Sequence, residues 1–293
     1  MTPPEVLTRK VPGCKKDGVI DFHTHIFSPY ARDHREELAE RDRTFGSIYA
    51  DPKARMAGME ELIGMMDEEG LERAVVCGFP WEEVEDCRRE NDYLLESAAR
   101  YPQRLIPFVT FPFSPEGLRE LERCLRGGAR GAGELAPGTY GQEPLPSDLL
   151  REVFQAIREA GIVALVHVNE PVGHPYPGKG GLGLKEVERL VEAAQGVKLV
   201  LGHLGGGLLF YELMPEVAAL CKDVRYDTAA LPLLYDHRVW RVAQEVAGEK
   251  LLFGSDFPLL GPRRYLKGME EAGLDRLQME AILEGNARRL LGC

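Results

Sequence analysis

The sequence contains eight short apolar runs separated by segments of helical periodicity. Few folds are compatible with this pattern. The runs cover residues 19–22, 73–78, 105–111, 129–135, 162–168, 197–204, 224–230 and 251–257. They are too short for helices and are bounded by Gly, Pro or charged residues, which is typical of buried parallel strands. After the first run, successive run ends are roughly 24 to 36 residues apart, the length of one strand and helix with their loops. The spacing predicts repeated βα units.

Between the runs, apolar residues recur at every third and fourth position. This periodicity predicts helices over residues 83–101, 115–126, 147–160, 184–194, 235–246 and 275–291. Pro115 and Ser147 favour helix starts, whereas Gly127 and Gly161 favour helix ends. Eight alternating units in 293 residues predict one domain, a (β/α)8 TIM barrel over residues 19–293, preceded by an N-terminal arm over residues 1–18. A doubly wound open sheet is the alternative, since it has the same local pattern.

The first unit is longer than the others. Residues 27–55 are rich in charge and include a helical pattern over residues 33–43. We interpret this insertion as an elaborated first βα loop that can act as a lid over a site at the end of the barrel.

Residues of metal-ligand type stand at the ends of these runs. They are His23, His25, Glu134, His167, His203 and Asp256. Barrel enzymes keep their chemistry at the carboxyl ends of the strands. Residues two apart on a strand point to the same side, so both imidazoles of the first run can reach one ion. A carboxylate beside histidines completes a zinc-type site and supplies a base. The placement predicts a metal centre.

Glu134 leaves the number of ions open. As a bridge, it would join one ion held by the first-run histidines and Asp256 to a second ion held by His167 and His203. As an ordinary ligand, an orienting residue or a substrate contact, it would leave a single ion held by His23, His25, His167 and Asp256, and His203 would orient water or polarise the substrate.

The chain resembles the amidohydrolase superfamily, and within it the amidohydrolase-related (amidohydrolase 2) branch of metal-dependent hydrolases and decarboxylases. The resemblance runs over nearly the whole chain. It is carried by residues 21–27, 202–206, 254–258 and 285–291, together with His167. Together these motifs are specific, although each alone is common.

The resemblance implies a divalent metal, usually zinc, with manganese as an alternative. Its ligands would be His23, His25, His167 and Asp256 or a subset of them, with His203 in the site. Many two-metal relatives carry a carboxylated lysine on the fourth strand, where this chain has Glu134. A glutamate here is similar to that of a metal-dependent deoxyribonuclease branch.

The first functional hypothesis is hydrolysis of a small-molecule amide, ester or lactone. A bound metal lowers the pKa of its water toward about 7. Asp256 would accept the proton of that water, and His203 would stabilise the developing oxyanion. The alternative is non-oxidative decarboxylation of an aromatic or unsaturated carboxylic acid, which uses almost the same residues. A further alternative is a noncatalytic metal-binding scaffold.

Specificity is expected from the loops at the strand ends. The candidate substrate contacts are His174, Tyr176, Lys179 and Asp227. The first three follow the fifth run and could clamp an anionic group, as could Arg263 and Arg264 beyond the eighth. Asp227 is interpreted either as a substrate contact or as a residue that orients a ligand.

The net charge and the hydropathy of the sequence limit the kinds of molecule that the protein is expected to bind. The formal net charge of −11 argues against broad binding of nucleic acid or anionic membrane, so we expect a small-molecule substrate. No apolar run approaches the 18 or so residues that cross a bilayer, and residues 1–18 lack the apolar core of a secretory signal. These features predict a cytoplasmic protein, and a homodimer is expected from base rates alone.

Overall fold

The eight apolar runs form eight parallel strands that pair in chain order from first to last. The computed structural model describes residues 18–138, 146–180 and 182–292. Within these ranges the strands are β1 Val19–His25, β2 Leu71–Cys77, β3 Leu105–Val109, β4 Gly131–Leu135, β5 Val163–Val166, β6 Lys198–Leu201, β7 Val224–Asp227 and β8 Leu251–Leu252. All carboxyl ends therefore lie at one end of the sheet.

Backbone hydrogen bonds between the first strand and the segment from β8 onward close the sheet. The amide of Phe22 donates to the carbonyl of Phe253 over 2.7 Å, and the amide of His25 donates to that of Phe257 over 2.7 Å. A third bond runs back from the amide of Asp256 to the carbonyl of His23 over 2.9 Å. The predicted (β/α)8 barrel is confirmed, and the open-sheet alternative is wrong because these bonds pair the two edges.

Alternation along the strands sorts their side chains into two apolar layers. Phe22, Val75, Phe108, Leu165 and Val200 form a buried cluster inside the barrel. On β2, β3, β5 and β6, neighbours along the strand such as Ala74, Val109, Ala164 and Leu199 belong to the larger cluster between the barrel and the helices. Burying one such side chain contributes about 1.5–3 kcal/mol, so the two layers hold the strand ends in a fixed arrangement.

Helices surround the barrel. They are α1 Pro29–Asp33, α2 Arg35–Arg41, α3 Arg43–Tyr49, α4 Met59–Glu69, α5 Val84–Arg100, α6 Pro115–Arg126, α7 Ser147–Ala160, α8 Leu184–Ala193, α9 Leu208–Tyr211, α10 Pro215–Leu220, α11 Leu231–Leu234, α12 Val239–Ala247, α13 Pro262–Glu271, α14 Arg276–Glu280 and α15 Asn286–Leu291. The sequence patterns predicted α5 to α8 closely. The predicted helix over residues 275–291 is present but includes a π-helical turn between α14 and α15.

Two of the longer helices, α4 and α13, were not predicted, and neither were the short helices α9, α10 and α11. Charged residues dominate α4 and α13, which obscures the narrow apolar stripe on each. The stripe of α4 buries Leu62 and Met66, and that of α13 buries Tyr265 and Met269. Packing against the barrel stabilises both helices, as it does most amphipathic helices.

The predicted insertion after β1 forms α1, α2 and α3, which extend the expected helical stretch in both directions. Contacts between aromatic side chains anchor the insertion. Phe27 packs edge-to-face on Tyr49, with ring centroids 5.0 Å apart, and Phe45 stacks on Trp81 at 4.7 Å. Such pairs each contribute about 0.5–1.5 kcal/mol beyond their area of burial. The insertion is therefore anchored to the barrel rather than loosely attached.

The predicted N-terminal arm covers residues 1–18, of which residues 1–17 lie outside the described ranges. Among the helices that are described, none combines the length and apolar character needed to cross a bilayer.

Candidate metal centre

The first strand ends in two buried histidines whose Nε2 atoms lie 3.0 Å apart. The Nδ1 atom of each ring is within hydrogen-bonding distance of another group of the barrel. His23 Nδ1 lies 2.8 Å from the Asp227 carboxylate, and His25 Nδ1 lies 3.2 Å from the carbonyl oxygen of Cys77. Partners of this kind fix the orientation of a ligating imidazole and raise its basicity. Both Nε2 atoms are thereby directed to one place.

Glu134, at the end of β4, lies between two pairs of histidines. Its Oε2 is 3.5 Å from the Nε2 atoms of both His23 and His25. Its Oε1 is 2.7 Å from His167 Nδ1 and 3.6 Å from His203 Nε2. Each carboxylate oxygen thus faces a different pair, which is the arrangement required of a bridging ligand.

The second pair comes from the ends of β5 and β6. His203 Nε2 lies 3.3 Å from His167 Nδ1. His203 donates from Nδ1 to the carbonyl of Ala229, and its backbone amide donates to Asp227 Oδ1 over 2.9 Å. His167 Nε2 contacts the side-chain oxygen of Asn169 at 2.9 Å. Asp227 therefore positions one histidine of each pair.

Asp256 approaches the same group from the segment after β8. Its Oδ1 lies 3.6 Å from His25 Nε2 and 3.9 Å from His23 Nε2. The backbone of Asp256 has a φ of 59°, a left-handed conformation that is uncommon for residues other than glycine and that is often found at functional sites. Its side chain is 18% exposed, against 0% for that of His23, so it faces the open side of the group.

All six residues predicted as ligands thus come together. Among the described residues, two groups have donor atoms within 4.8 Å of one another: His23, His25 and Glu134, and Glu134, His167 and His203. Nitrogen ligands about 2.0–2.1 Å from a tetrahedral zinc ion lie roughly 3.3 Å from each other. The donor separations of 2.7 to 3.9 Å bracket that value, and nitrogen with carboxylate is a zinc-type donor set. The residues fit a divalent cation.

Electrostatics also favour a cation here. Burial would raise the pKa of Glu134, but His23 and His167 hold it well below its usual range. Burial would lower the pKa of His23, yet Glu134 and Asp227 raise it well above the ordinary value. Burial would also lower the pKa of His203, but a hydrogen bond to Glu134 and the nearby carboxylates raise it to about 9. Protons on the imidazoles thus balance the buried carboxylates, and a bound cation would replace them.

We expect metal affinity to rise with pH as a result. Histidines whose pKa is raised hold protons at neutral pH, and a cation must displace them before it binds. One displaced proton changes the apparent affinity about tenfold per pH unit and two change it about 100-fold, with binding strongest near and above pH 9. Competition with a chromophoric zinc chelator at pH 6, 7 and 8, corrected for protonation of the chelator, measures the slope. An affinity independent of pH would contradict these proton positions.

A cavity of about 530 Å³ opens above the cluster. Its base includes five of the six predicted ligands: His25, Glu134, His167, His203 and Asp256. One wall comes from the insertion after β1, through Ile48, Tyr49, Asp51, Lys53, Ala54 and Arg55. The opposite walls are largely apolar and include Leu233 and Leu259. The insertion therefore lies over the cavity, as expected of the elaborated first loop.

The loop after β5 contributes some of its predicted substrate contacts to this cavity. His174 and Tyr176 line it. The Tyr176 hydroxyl accepts a hydrogen bond from Asn169 and donates one to Glu170. Lys179 is absent from the described lining; its ammonium donates to two backbone carbonyls of its own loop and lies 3.4 Å from Glu170. It therefore braces the loop.

The other anion-clamp candidates lie elsewhere. Arg263 pairs with Glu69 at 2.9 Å, and Arg264 donates to the carbonyl of Pro232. Both side chains belong to α13 and are absent from the described cavity lining. Asp227 is fully buried beneath the histidines, so it contacts them rather than the cavity.

Sequence reasoning missed four residues around the cavity. Asn169, two residues beyond His167 on the same strand end, could have been found by the rule that pairs His23 with His25. Tyr49, Lys53 and Arg55 belong to the insertion, which has no repeating pattern that would assign a direction to each side chain. Their position depends on how the insertion packs.

Solved structures share this barrel. The 5-carboxyvanillate decarboxylase of Sphingomonas paucimobilis matches with a TM-score of 0.73 and 17% identity, covering 94% of this chain and 99% of that one. A dihydroxybenzoic acid decarboxylase of Polaromonas, with bound manganese and the inhibitor 2-nitroresorcinol, matches with a TM-score of 0.70 and 19% identity, covering 94% and 97%. A probable 2-pyrone-4,6-dicarboxylic acid hydrolase of Acinetobacter baumannii, with citric acid bound, matches with a TM-score of 0.66 and 16% identity, covering 94% and 100%.

At these identities the structural likenesses establish the fold alone. A comparison with functionally curated proteins gives no match. The sequence model of the amidohydrolase family, by contrast, matches residues 20–293, which include every strand end of the barrel and all six clustered side chains. The resemblance found in the sequence is confirmed, and the chain belongs to the amidohydrolase family of enzymes.

Proposed function

We propose that this enzyme is a metal-dependent, non-oxidative decarboxylase of an aromatic or unsaturated carboxylic acid. The main support for this proposal is the composition of the cavity. Potential metal ligands lie at its base, its walls are apolar, and cationic side chains lie at its mouth. Lys53 and Arg55 are exposed and line the cavity; outside the cluster itself, Asp51 is the only acidic residue among the described residues of the lining. An unsaturated ring suits the walls, and a carboxylate suits the cations.

The ring would lie between the apolar walls. Ile48, Phe79, Leu233 and Leu259 supply apolar surface on several sides of the cavity. Its volume of about 530 Å³ is within the range of pockets that bury small ligands, and it exceeds the volume of one substituted aromatic ring. Apolar walls also exclude water, which strengthens every charge interaction within the cavity.

A single cation would be held by His23, His25, His167 and Asp256, with Glu134 as a further ligand. With two cations, His23, His25 and Asp256 would hold the first, His167 and His203 the second, and Glu134 would be shared between them. When bound, the cation would supply a Lewis acid that anchors an anionic oxygen of the substrate. The histidine-rich donor set favours zinc. Manganese is supported by its presence in the Polaromonas decarboxylase.

The chain's own residues would handle the proton. In decarboxylation the bond between the ring carbon and the carboxylate breaks, carbon dioxide leaves, and the electron pair left on the ring carbon takes up a proton. Asp256 and His203 both line the cavity, so either can hold that proton next to the substrate. We assign the role to Asp256, because its side chain is the more exposed to the cavity, at 18% against 6%.

Hydrolysis, the first hypothesis from the sequence, remains the second candidate. It is favoured by Glu134, whose two oxygens face separate histidine pairs as a two-ion site requires. The likeness to the probable pyrone dicarboxylic acid hydrolase also supports it. The likenesses to decarboxylases support the first candidate, and both reactions accept a carboxylate substrate.

A direct assay separates the two reactions. The full chain, loaded with zinc or with manganese, is incubated with 5-carboxyvanillate, 2,6-dihydroxybenzoate and 2-pyrone-4,6-dicarboxylate. We expect release of inorganic carbon from an aromatic acid, its loss after dialysis against a chelator, and its return on adding metal back. Ring opening of the pyrone without release of inorganic carbon would instead assign hydrolysis. Activity that survives complete removal of metal would overturn both candidates.

A further inference from the structure

A second cavity lies at the opposite end of the barrel from the candidate metal centre. It has a volume of about 790 Å³ and is bounded by the residues at which several strands begin, including Leu105, Val163 and Lys198. Active sites of TIM barrels lie at the other end, so this cavity takes no part in the proposed reaction.

Cationic side chains line this cavity. They are Arg73, Arg130 and Lys198, and no acidic residue is among the described residues that line it. Alternation along the strands directs two of them inward, since Arg73 shares a face of β2 with Val75, and Lys198 shares a face of β6 with Val200. In a chain of net charge −11, this is a local concentration of positive charge.

Arg73 is only partly neutralised by the protein, whereas Arg130 and Lys198 are exposed at the rim of the cavity. The buried Nε of Arg73 has no hydrogen-bond partner, and the nearest carboxylate oxygen, on Glu72, is 3.7 Å away. That carboxylate is engaged by Arg288 at 2.5 Å and by the amide of Gly18 at 2.8 Å. A buried polar group without a hydrogen-bond partner destabilises the protein, and a ligand that accepts its hydrogen bond would recover part of this cost.

The rest of the lining is largely apolar. Leu95, Ile106, Leu125 and Leu290 provide side-chain surface beside the three cations. We propose that this cavity binds a small organic anion with an apolar body, the anionic group contacting Arg73 and Lys198.

Binding of 8-anilinonaphthalene-1-sulfonate, an aromatic sulfonate that fluoresces in apolar sites, tests this proposal on the full metal-loaded chain. We expect R73Q and K198Q each to weaken probe binding about tenfold, the typical effect of removing one charge-assisted hydrogen bond. The matched control K267Q removes one exposed positive charge from α13 and should leave the affinity within about twofold. Equal affinity in all four proteins would overturn the proposal.

A second pair of variants distinguishes a change in the cavity from a loss of folding. Ala99 is exposed at the mouth of the cavity, so A99E adds a negative charge there without disturbing packing. The control A219E adds the same charge at an exposed position of α10. We expect A99E alone to weaken probe binding, with metal content unchanged in both. Octanoate should displace the probe; displacement by inorganic phosphate at equal concentration would overturn the need for an apolar body.

Discussion

The E134Q variant is expected to bind metal at least 100-fold more weakly than the wild-type chain. Glu134 supplies the negative charge between two histidine pairs, and each of its oxygens lies within 3.6 Å of the histidines of its own pair. The amide keeps the shape but removes the charge and one of the two acceptor oxygens. Loss of a residue that merely orients a ligand costs about 10- to 100-fold in metal affinity, and loss of a shared ligand should cost more.

The metal content of E134Q, measured by elemental mass spectrometry after purification without chelator, also tests the bridging role. If Glu134 bridges, a chain that holds two ions should fall to one or none. The control E96Q makes the same substitution at an exposed position of α5 and should keep the wild-type content. A variant that retains its full metal content and affinity would show that Glu134 contacts no ion.

The D256N variant is expected to lose about 10²- to 10⁴-fold in turnover, the usual contribution of a positioned proton carrier. An amide can neither accept nor donate the proton that both candidate reactions require. Asp256 is also close enough to His25, at 3.6 Å, to share an ion with it, so we expect metal binding to weaken too, and it is measured in the same sample.

Turnover of D256N is therefore measured at saturating metal, with bound metal determined in parallel. The control D223N changes an exposed aspartate before β7 and should leave turnover unchanged. Full turnover by D256N with its full complement of metal would refute the assignment of Asp256 as proton carrier. Loss of turnover at limiting metal that is fully restored at saturating metal would make Asp256 a ligand only.

Much of the fold was predictable because its signals are local. A buried parallel strand requires a short apolar run, and an amphipathic helix requires a repeat of three and four, so each element is visible in its own residues. The two longest missed helices, α4 and α13, have narrow apolar stripes among many charges, and only contact with the barrel shows which face is buried. The insertion after β1 was located correctly, but the packing of Phe45 on Trp81 involves residues distant in sequence.

The candidate site divides in the same way. The sequence by itself determined which residues of ligand type stand at the strand ends, because parallel strands bring all their carboxyl ends to one face. Only the tertiary structure decided that Glu134 lies between two histidine pairs, that Asp227 supports His23 from beneath, and that Lys53 and Arg55 reach the cavity. These relations depend on distances between segments far apart in the chain, and no local pattern encodes such distances.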